Sequence, residues 1–347
     1  MQGSLGEKIG EGAWSDVHAW APGQVLKLFK AGLPQRHSWW EARMTRAAFA
    51  AGAPAPEVFD EVTVEGRFGV VLQRLDGPTL LQLSRSGAMT PEQTGAILAT
   101  LAISVHKTAP PPDILPLRDT EAGSSRLSGG MLPEHIATGI LTLIERLAPG
   151  DGLCHGDLHP GNVIMTADGP RLIDWGGATR APPGLDLAWC HFFLSELAPQ
   201  RAPDPERPRA VNAAMQSEYA RLAGMSPAVL TAAMEPYLPI IRLGVLLGGS
   251  APSAQRERPI QRVIAGVPAM SAPCLLLHQK RTLLRSAAME LNGDRISPCA
   301  PSCDGTLSQL DEGVIAPAHY RERDIWRRAP AFAAYWSSQT SSIRWLL

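Results

Sequence analysis

Leu153-Cys154-His155-Gly156-Asp157-Leu158-His159-Pro160-Gly161-Asn162-Val163-Ile164-Met165 leads, five residues later, into Arg171-Leu172-Ile173-Asp174-Trp175-Gly176. Val163 to Met165 and Arg171 to Ile173 are apolar or β-branched triplets around Thr166-Ala167-Asp168-Gly169-Pro170. Two such triplets flanking an Asp-Gly turn predict a β-hairpin. Pairing its strands sets Asn162, just before the first, beside Asp174, just after the second. Asp157 lies on the loop feeding the same end. Three oxygen-bearing side chains therefore converge. A carboxylate next to an amide oxygen suits a hard divalent cation such as Mg²⁺. A separate carboxylate, Asp157, is suited to orient a hydroxyl and accept its proton.

Outward from this hairpin the chain changes character twice. Residues 1–75 read as short strands around one helix, an α+β lobe. The strand candidates are Leu5 to Ile9, Val17 to Trp20, Val25 to Phe29, Val58 to Val64 and Arg67 to Leu72, the last two joined by a Glu65-Gly66 turn. The helix runs from Gln35 to Ala51, opened by Pro34 and stopped by Gly52 and Pro54. Residues 76–250 read as mainly helical. Thr79 to Leu83 is a short segment, and Thr90-Pro91 caps a helix to about Lys107. Ile136, Ile140, Leu143, Ile144 and Leu147 recur at helical period within Pro133 to Leu147. Further helices are expected near Leu185 to Glu196, Arg207 to Leu222 and Pro227 to Met234. Residues 251–347 are rich in proline and form an extension whose structure the sequence does not define, apart from a possible helix at Leu275 to Leu291.

His155-Gly156-Asp157-Leu158-His159-Pro160-Gly161-Asn162 with Ile173-Asp174-Trp175 resembles the catalytic core of the aminoglycoside phosphotransferase family, small-molecule kinases of protein-kinase-like fold. The resemblance covers roughly Leu5 to Met234. It implies a bilobal α+β fold: a small, mostly antiparallel β lobe with one helix, and a larger, mainly helical lobe. It implies ATP and Mg²⁺ as cofactors, with Asp157 as base and Asn162 and Asp174 as metal ligands. Ile9-Gly10-Glu11-Gly12-Ala13-Trp14-Ser15 resembles the family's glycine-rich loop, so Gly10, Gly12 and Ser15 are expected over the nucleotide phosphates. Lys27, a lone charge in Val25-Leu26-Lys27-Leu28-Phe29, resembles its nucleotide-binding lysine. Glu41 is the one acid between Lys27 and Glu57 and is the candidate partner, although Ser38-Trp39-Trp40-Glu41 also fits a capping box. Val70 to Leu75 resembles the hinge whose backbone bonds the adenine edge, with Gln73 and Leu75 as contacts. Asp186 matches a position that supports the catalytic loop. Glycine at 156 and tryptophan at 175 depart from eukaryotic-type protein kinases, which carry arginine and phenylalanine there. No Ala-Pro-Glu segment follows. These departures favour a small-molecule hydroxyl acceptor, an antibiotic such as an aminoglycoside or a metabolite such as choline, homoserine or a sugar.

Composition narrows the field further. A formal net charge of -1 gives no basic field for nucleic acid and no polybasic tail for a membrane. Five scattered cysteines read as reduced thiols of a cytoplasmic protein, and the first ten residues lack the apolar core of a secretory signal. Oligomeric state is silent. Two other functions remain open on the sequence: a nucleotide-binding regulator without catalysis, and a metal-dependent hydrolase using His155, Asp157 and His159. Trp39 and Trp40 are adjacent on one helix, so only one can be core. His106, ending a helix, reads as a C-cap rather than a catalytic group.

Overall fold

Val163 pairs with Leu172 and Thr166 with Gly169, so the expected hairpin forms, but its two-residue turn is Ala167-Asp168 rather than Asp-Gly, and the second strand runs from Gly169 to Leu172 instead of Arg171 to Ile173. The computed structural model describes residues 5–12, 14–119 and 134–242. The expected helix at Leu275 to Leu291, with the rest of residues 251–347, lies outside the described residues.

The N-terminal lobe is a five-stranded antiparallel sheet of order β1-β2-β3-β5-β4. Its strands are β1 Lys8–Glu11, β2 Ser15–Ala19, β3 Gln24–Phe29, β4 Val58–Val64 and β5 Arg67–Gln73. The first two begin elsewhere than expected. Leu5 to Glu7 stay outside β1, and β2 starts at Ser15 because Gly12 N–H bonds Ser15 O at 2.6 Å and closes the loop early. Helix α1, Arg36–Ala50, lies between β3 and β4.

Side chains alternate along β3. Leu26 and Leu28 pack with Val71 on one face of the sheet. Phe29 packs with Ala42 of α1 and with Val70 on the other. Lys27 therefore points to the α1 side, which is what makes a residue of α1 its neighbour. Trp40 is buried and its indole Nε1 donates to Gly176 O at 2.9 Å, whereas Trp39 is exposed. One tryptophan of the pair is core, as the helix geometry requires.

The C-terminal lobe opens with α2 Leu80–Ser86 and α3 Pro91–Lys107. Both start from capping boxes, Thr79 with Gln82 and Thr90 with Gln93. Helix α4, Glu134–Arg146, buries Leu143 and Ile144. Next come β6 Gly152–Cys154, the hairpin β7 Val163–Thr166 and β8 Gly169–Leu172, and β9 Thr179–Ala181, which pairs with β6. Helix α5, Gly184–Phe192, is shorter than expected. Its continuation Phe193–Leu197 is a π-helical turn. Helices α6 Glu206–Ala223 and α7 Pro227–Met234 follow. Among the described residues no helix is long and apolar enough to cross a membrane.

The hairpin also joins the lobes. Leu172 N–H bonds Pro54 O at 2.8 Å, and the Arg171 guanidinium bonds Ala55 O at 2.7 Å. These bonds hold the segment between α1 and β4 against the hairpin.

Candidate active site

Strand β6 ends in Cys154, and the loop His155 to Pro160 turns back beneath the hairpin. Gly156 has φ +81, and a Cβ there would sit 2.1 Å from Gly177 O. Only glycine allows this backbone-to-backbone approach. Asp186, in the first turn of α5, is fully buried and accepts from His155 N–H and Gly156 N–H, each at 2.8 Å. His106 Nε2 stands 3.2 Å from the same carboxylate, and its Nδ1 is 2.9 Å from the Tyr219 hydroxyl. The expected helix-capping role of His106 is thus replaced by a brace within the C-terminal lobe. Its partners are 80 and 113 residues away in the chain. Burial alone would raise the Asp186 pKa, but the donors of His106 and His155 outweigh it and hold the carboxyl below its usual value.

Asp157 is buried, with donors on both oxygens. Trp189 Nε1 donates to Oδ1 at 2.5 Å, and Asn162 Nδ2 donates to Oδ2 at 2.8 Å and to the Asp157 carbonyl at 3.0 Å. His159 Nε2 lies 3.5 Å from Oδ2. A carboxylate oxygen has two lone pairs, so each retains acceptor capacity. With its amide nitrogen turned to Asp157, Asn162 keeps Oδ1 without a donor among the described residues. The short turn Pro160–Asn162 precedes β7, and Ile173 N–H bonds Asn162 O at 2.9 Å. That bond extends the hairpin one step and brings Asp174 next to it. Asp174 itself adopts φ 68 and ψ 56, a left-handed conformation uncommon outside glycine.

Lys27 Nζ lies 2.6 Å from Glu41 Oε1 and 3.2 Å from Asp174 Oδ1. One ammonium from the sheet thus bridges an acid of α1 and an acid of the hairpin end. Glu41 has no capping role: α1 begins five residues earlier at Arg36, and the Ser38 hydroxyl donates to Gln35 O at 2.9 Å. Burial opposes the Lys27 charge, but the Asp174 and Glu41 carboxylates outweigh it and hold its pKa above the usual lysine value. Glu41 is pushed up to about 7 by burial and by the Asp174 charge, with Lys27 pulling the other way. Two acids thus share one base.

Gly10 lies in β1 beside Val17, and Gly12 heads the loop that Ser15 closes. A Cβ at either would meet nothing nearer than 3.4 Å. Neither has a positive φ. Packing therefore does not demand glycine at these two positions, in contrast to Gly156. Ser15 is buried, as the first residue of β2, paired with Phe29. At the end of β5, Gln73 N–H donates to Glu57 O at 2.8 Å and Arg74 N–H to Gly23 O at 2.9 Å. The backbone of Leu75 has no hydrogen-bond partner among the described residues.

The hydrolase arrangement of His155, Asp157 and His159 does not form. Asp157 N–H bonds His155 Nδ1 at 3.2 Å, and His155 Nε2 lies 3.0 Å from Ile173 O. Both ring nitrogens are thereby committed to the backbone. His159 Nδ1 accepts from Gly161 N–H at 3.0 Å. Among the described residues, the His, Cys and acidic side chains close enough to share an ion are His106, Cys154 and Asp186. The hydrogen bonds above and those of the Cys154 thiol to Ala181 O and Pro182 O already occupy them. Sequence reasoning missed Trp189. The available signal was its spacing of three from Asp186, which puts both on one side of a helix.

Residues 11–225 match the model of a family described as the phosphotransferase enzyme family. No curated protein sequence matches the chain. Among solved structures, a putative fructosamine-3-kinase from Haemophilus somnus 129PT is similar with a TM-score of 0.50 and 12% identity. The similarity covers 75% of this chain and 91% of that one, and it is a likeness of fold. An aminoglycoside-3'-phosphotransferase of type VIII is similar at 23% identity and TM-score 0.44, over 68% of this chain and 93% of that one. The family match spans more than half of the sequence and runs from the glycine loop through the hairpin to just past α6, so the chain belongs to the phosphotransferase enzyme family.

Proposed function

We propose that the chain is an ATP-dependent kinase that transfers the γ-phosphoryl group to a hydroxyl of a small molecule, with Asp157 as base and Asn162 and Asp174 as Mg²⁺ ligands. The observation that carries this reading is the bridge of Lys27 to Asp174 at 3.2 Å, which joins a sheet cation to the hairpin-end carboxylate. Asn162 Oδ1 and the Asp174 carboxylate are hard oxygen donors and fit Mg²⁺, which keeps waters and phosphate oxygens as further ligands. When bound, Mg²⁺ neutralises phosphate charge. Lys27 adds a second cation for the phosphates, held extended by Glu41. Gly10 and Gly12 offer backbone N–H groups without a Cβ in the way, and Ser15 closes that loop. The backbones of Gln73 and Leu75 face the adenine edge. Asp157 orients the acceptor hydroxyl and takes its proton. The acceptor oxygen bonds to the γ-phosphorus, and the bond from that phosphorus to the bridging oxygen breaks. ADP leaves with the electron pair. Reduced thiols such as the buried Cys154 and Cys190 suit a reducing compartment such as the cytoplasm.

A thermal-shift titration with ATP and Mg²⁺, followed by ADP release over an acceptor panel, tests the proposal. A nucleotide-dependent shift with acceptor-stimulated ADP release is expected. Asp157→Ala should keep the shift and lower turnover at least about a hundredfold. A shift without turnover on any acceptor would favour a nucleotide-binding regulator.

A further inference from the structure

A cavity of about 400 Å³ opens beside the Asp157 loop, within the usual range for small-molecule sites. Its apolar wall is Pro160, Phe193, Leu194, Leu197 and Val211. Three of these come from the π-helical turn Phe193–Leu197, an irregularity that recurs at functional sites. Phe193 also fixes the cavity relative to the chemistry. Its ring stacks on His159 with centroids 4.4 Å apart and planes within 10°, and His159 Nε2 is 3.5 Å from Asp157 Oδ2. The cavity thus shares Phe193 with the packing around His159 and shares Pro160 with the loop that carries Asp157.

The charged part of the lining is one-sided. Arg85, Arg201 and Arg207 border the cavity, against a single acid, Asp204. The Arg207 guanidinium is fixed by Ser84 O and Met89 O, each at 2.6 Å. Arg85, at the end of α2, has no ion pair or hydrogen bond with any described residue. Partial burial holds its pKa below the usual arginine value, as for a cation with no acid beside it. A polyamine acceptor would meet this border as like charge. A carboxylate would meet it as opposite charge.

Resting on the kinase function proposed above, we infer that this cavity is the acceptor site and that it takes a hydroxyl compound with an apolar body and an anionic group, not a polycation. The apolar wall desolvates the body, Arg85 holds the anion, and the hydroxyl end lies along Pro160 of the loop that carries Asp157.

The test uses the full chain and four probes: ω-hydroxyoctanoate, α,ω-octanediol, ω-aminooctanol and kanamycin. Calorimetric titration should rank the hydroxy acid above the diol and the diol above the amino alcohol, by about tenfold at each step. Kanamycin should bind more weakly than the hydroxy acid. Arg85→Glu should reverse the order of the hydroxy acid and the amino alcohol. Equal affinities, tighter binding of kanamycin, no binding of the hydroxy acid at about 10 mM, or an order unmoved by Arg85→Glu would each overturn the inference. An ATP–Mg²⁺ thermal shift on the same preparation separates two failures. Its presence with the wrong probe order sinks the acceptor assignment alone, and its absence sinks the kinase function as well.

Discussion

Trp189 donates its indole N–H to the Asp157 carboxylate at 2.5 Å, from the same helix that sends Asp186 to the backbone of His155 and Gly156. One helical turn thus fixes both the path of the loop and the rotamer of its carboxylate. The charge-assisted bond is buried at both ends. Trp189→Phe keeps an aromatic ring at this position and removes only the donor. A lost hydrogen bond to a charged group is equivalent to about 1.5 kcal/mol, so kcat should fall about tenfold. The KM for nucleotide should stay unchanged, because the indole meets the Asp157 carboxylate and not Lys27. Steady-state kinetics with nucleotide and acceptor varied separately would check this, and a rise in nucleotide KM with unchanged kcat would contradict it.

Asp186 makes the loop sensitive to acid. Its pKa is depressed below the ordinary 3.8 in the folded chain, so its ionised form stabilises the fold. That contribution is present in full above the unfolded value and is lost as pH falls through the lower folded value. Asp186→Asn leaves one N–H of the loop facing an amide nitrogen and should cost about 3 kcal/mol at neutral pH. The gap in melting temperature between parent and variant should be constant from pH 7 to about 5 and shrink below about 4. Melting curves across that range would show it. A gap that widened on acidification would contradict the sign.

Lys27 separates stability from nucleotide binding. Lys27→Met leaves Glu41 and Asp174 without their shared cation and should destabilise the fold by about 3 kcal/mol. Adding Glu41→Gln removes one of the stranded acids, so the double variant should regain part of that loss. Nucleotide affinity should not recover, since the ammonium is still missing. Melting temperature and ATP titration, read on the parent, both single variants and the double variant, complete the cycle.

The hairpin and most helix starts were legible because local chemistry specifies them. The short break between two apolar triplets marks the hairpin of β7 and β8, although its turn is Ala167-Asp168 and not Asp-Gly, and Thr79 and Thr90 cap their helices with their own side chains. Lys27 stood out as a charge within an apolar strand, and its partner Glu41 followed by elimination, as the one acid between Lys27 and Glu57. What was not legible depended on distant partners. His106 reads as a helix-terminal cation until Asp186 and Tyr219 are brought to it. Leu185 to Glu196 reads as one helix, because no glycine or proline marks the change at Phe193. The π-helical turn there goes with the stacking of Phe193 on His159, a tertiary contact that no local pattern encodes. Trp189 was hidden for the same reason, since tryptophan is usually a core residue and only the fold supplies its acceptor.

The glycines divide into those the fold needs and those it tolerates, and the division is measurable. At Gly156 a methyl group would combine a positive φ with a 2.1 Å approach to Gly177 O. Gly156→Ala should therefore destabilise the chain by at least about 2 kcal/mol, and turnover should fall with the displaced loop. At Gly10 and Gly12 the added methyl would meet ordinary contacts, the nearest at 3.4 Å. Gly10→Ala and Gly12→Ala should leave stability within about 0.5 kcal/mol of the parent. If the loop carries phosphates on its backbone, the same methyl groups stand where the nucleotide approaches, and the KM for ATP should rise roughly fivefold. Melting curves and ATP kinetics on the three variants give the comparison. A large stability loss at Gly10 or Gly12 with unchanged ATP kinetics would make them turn glycines and remove them from the nucleotide site.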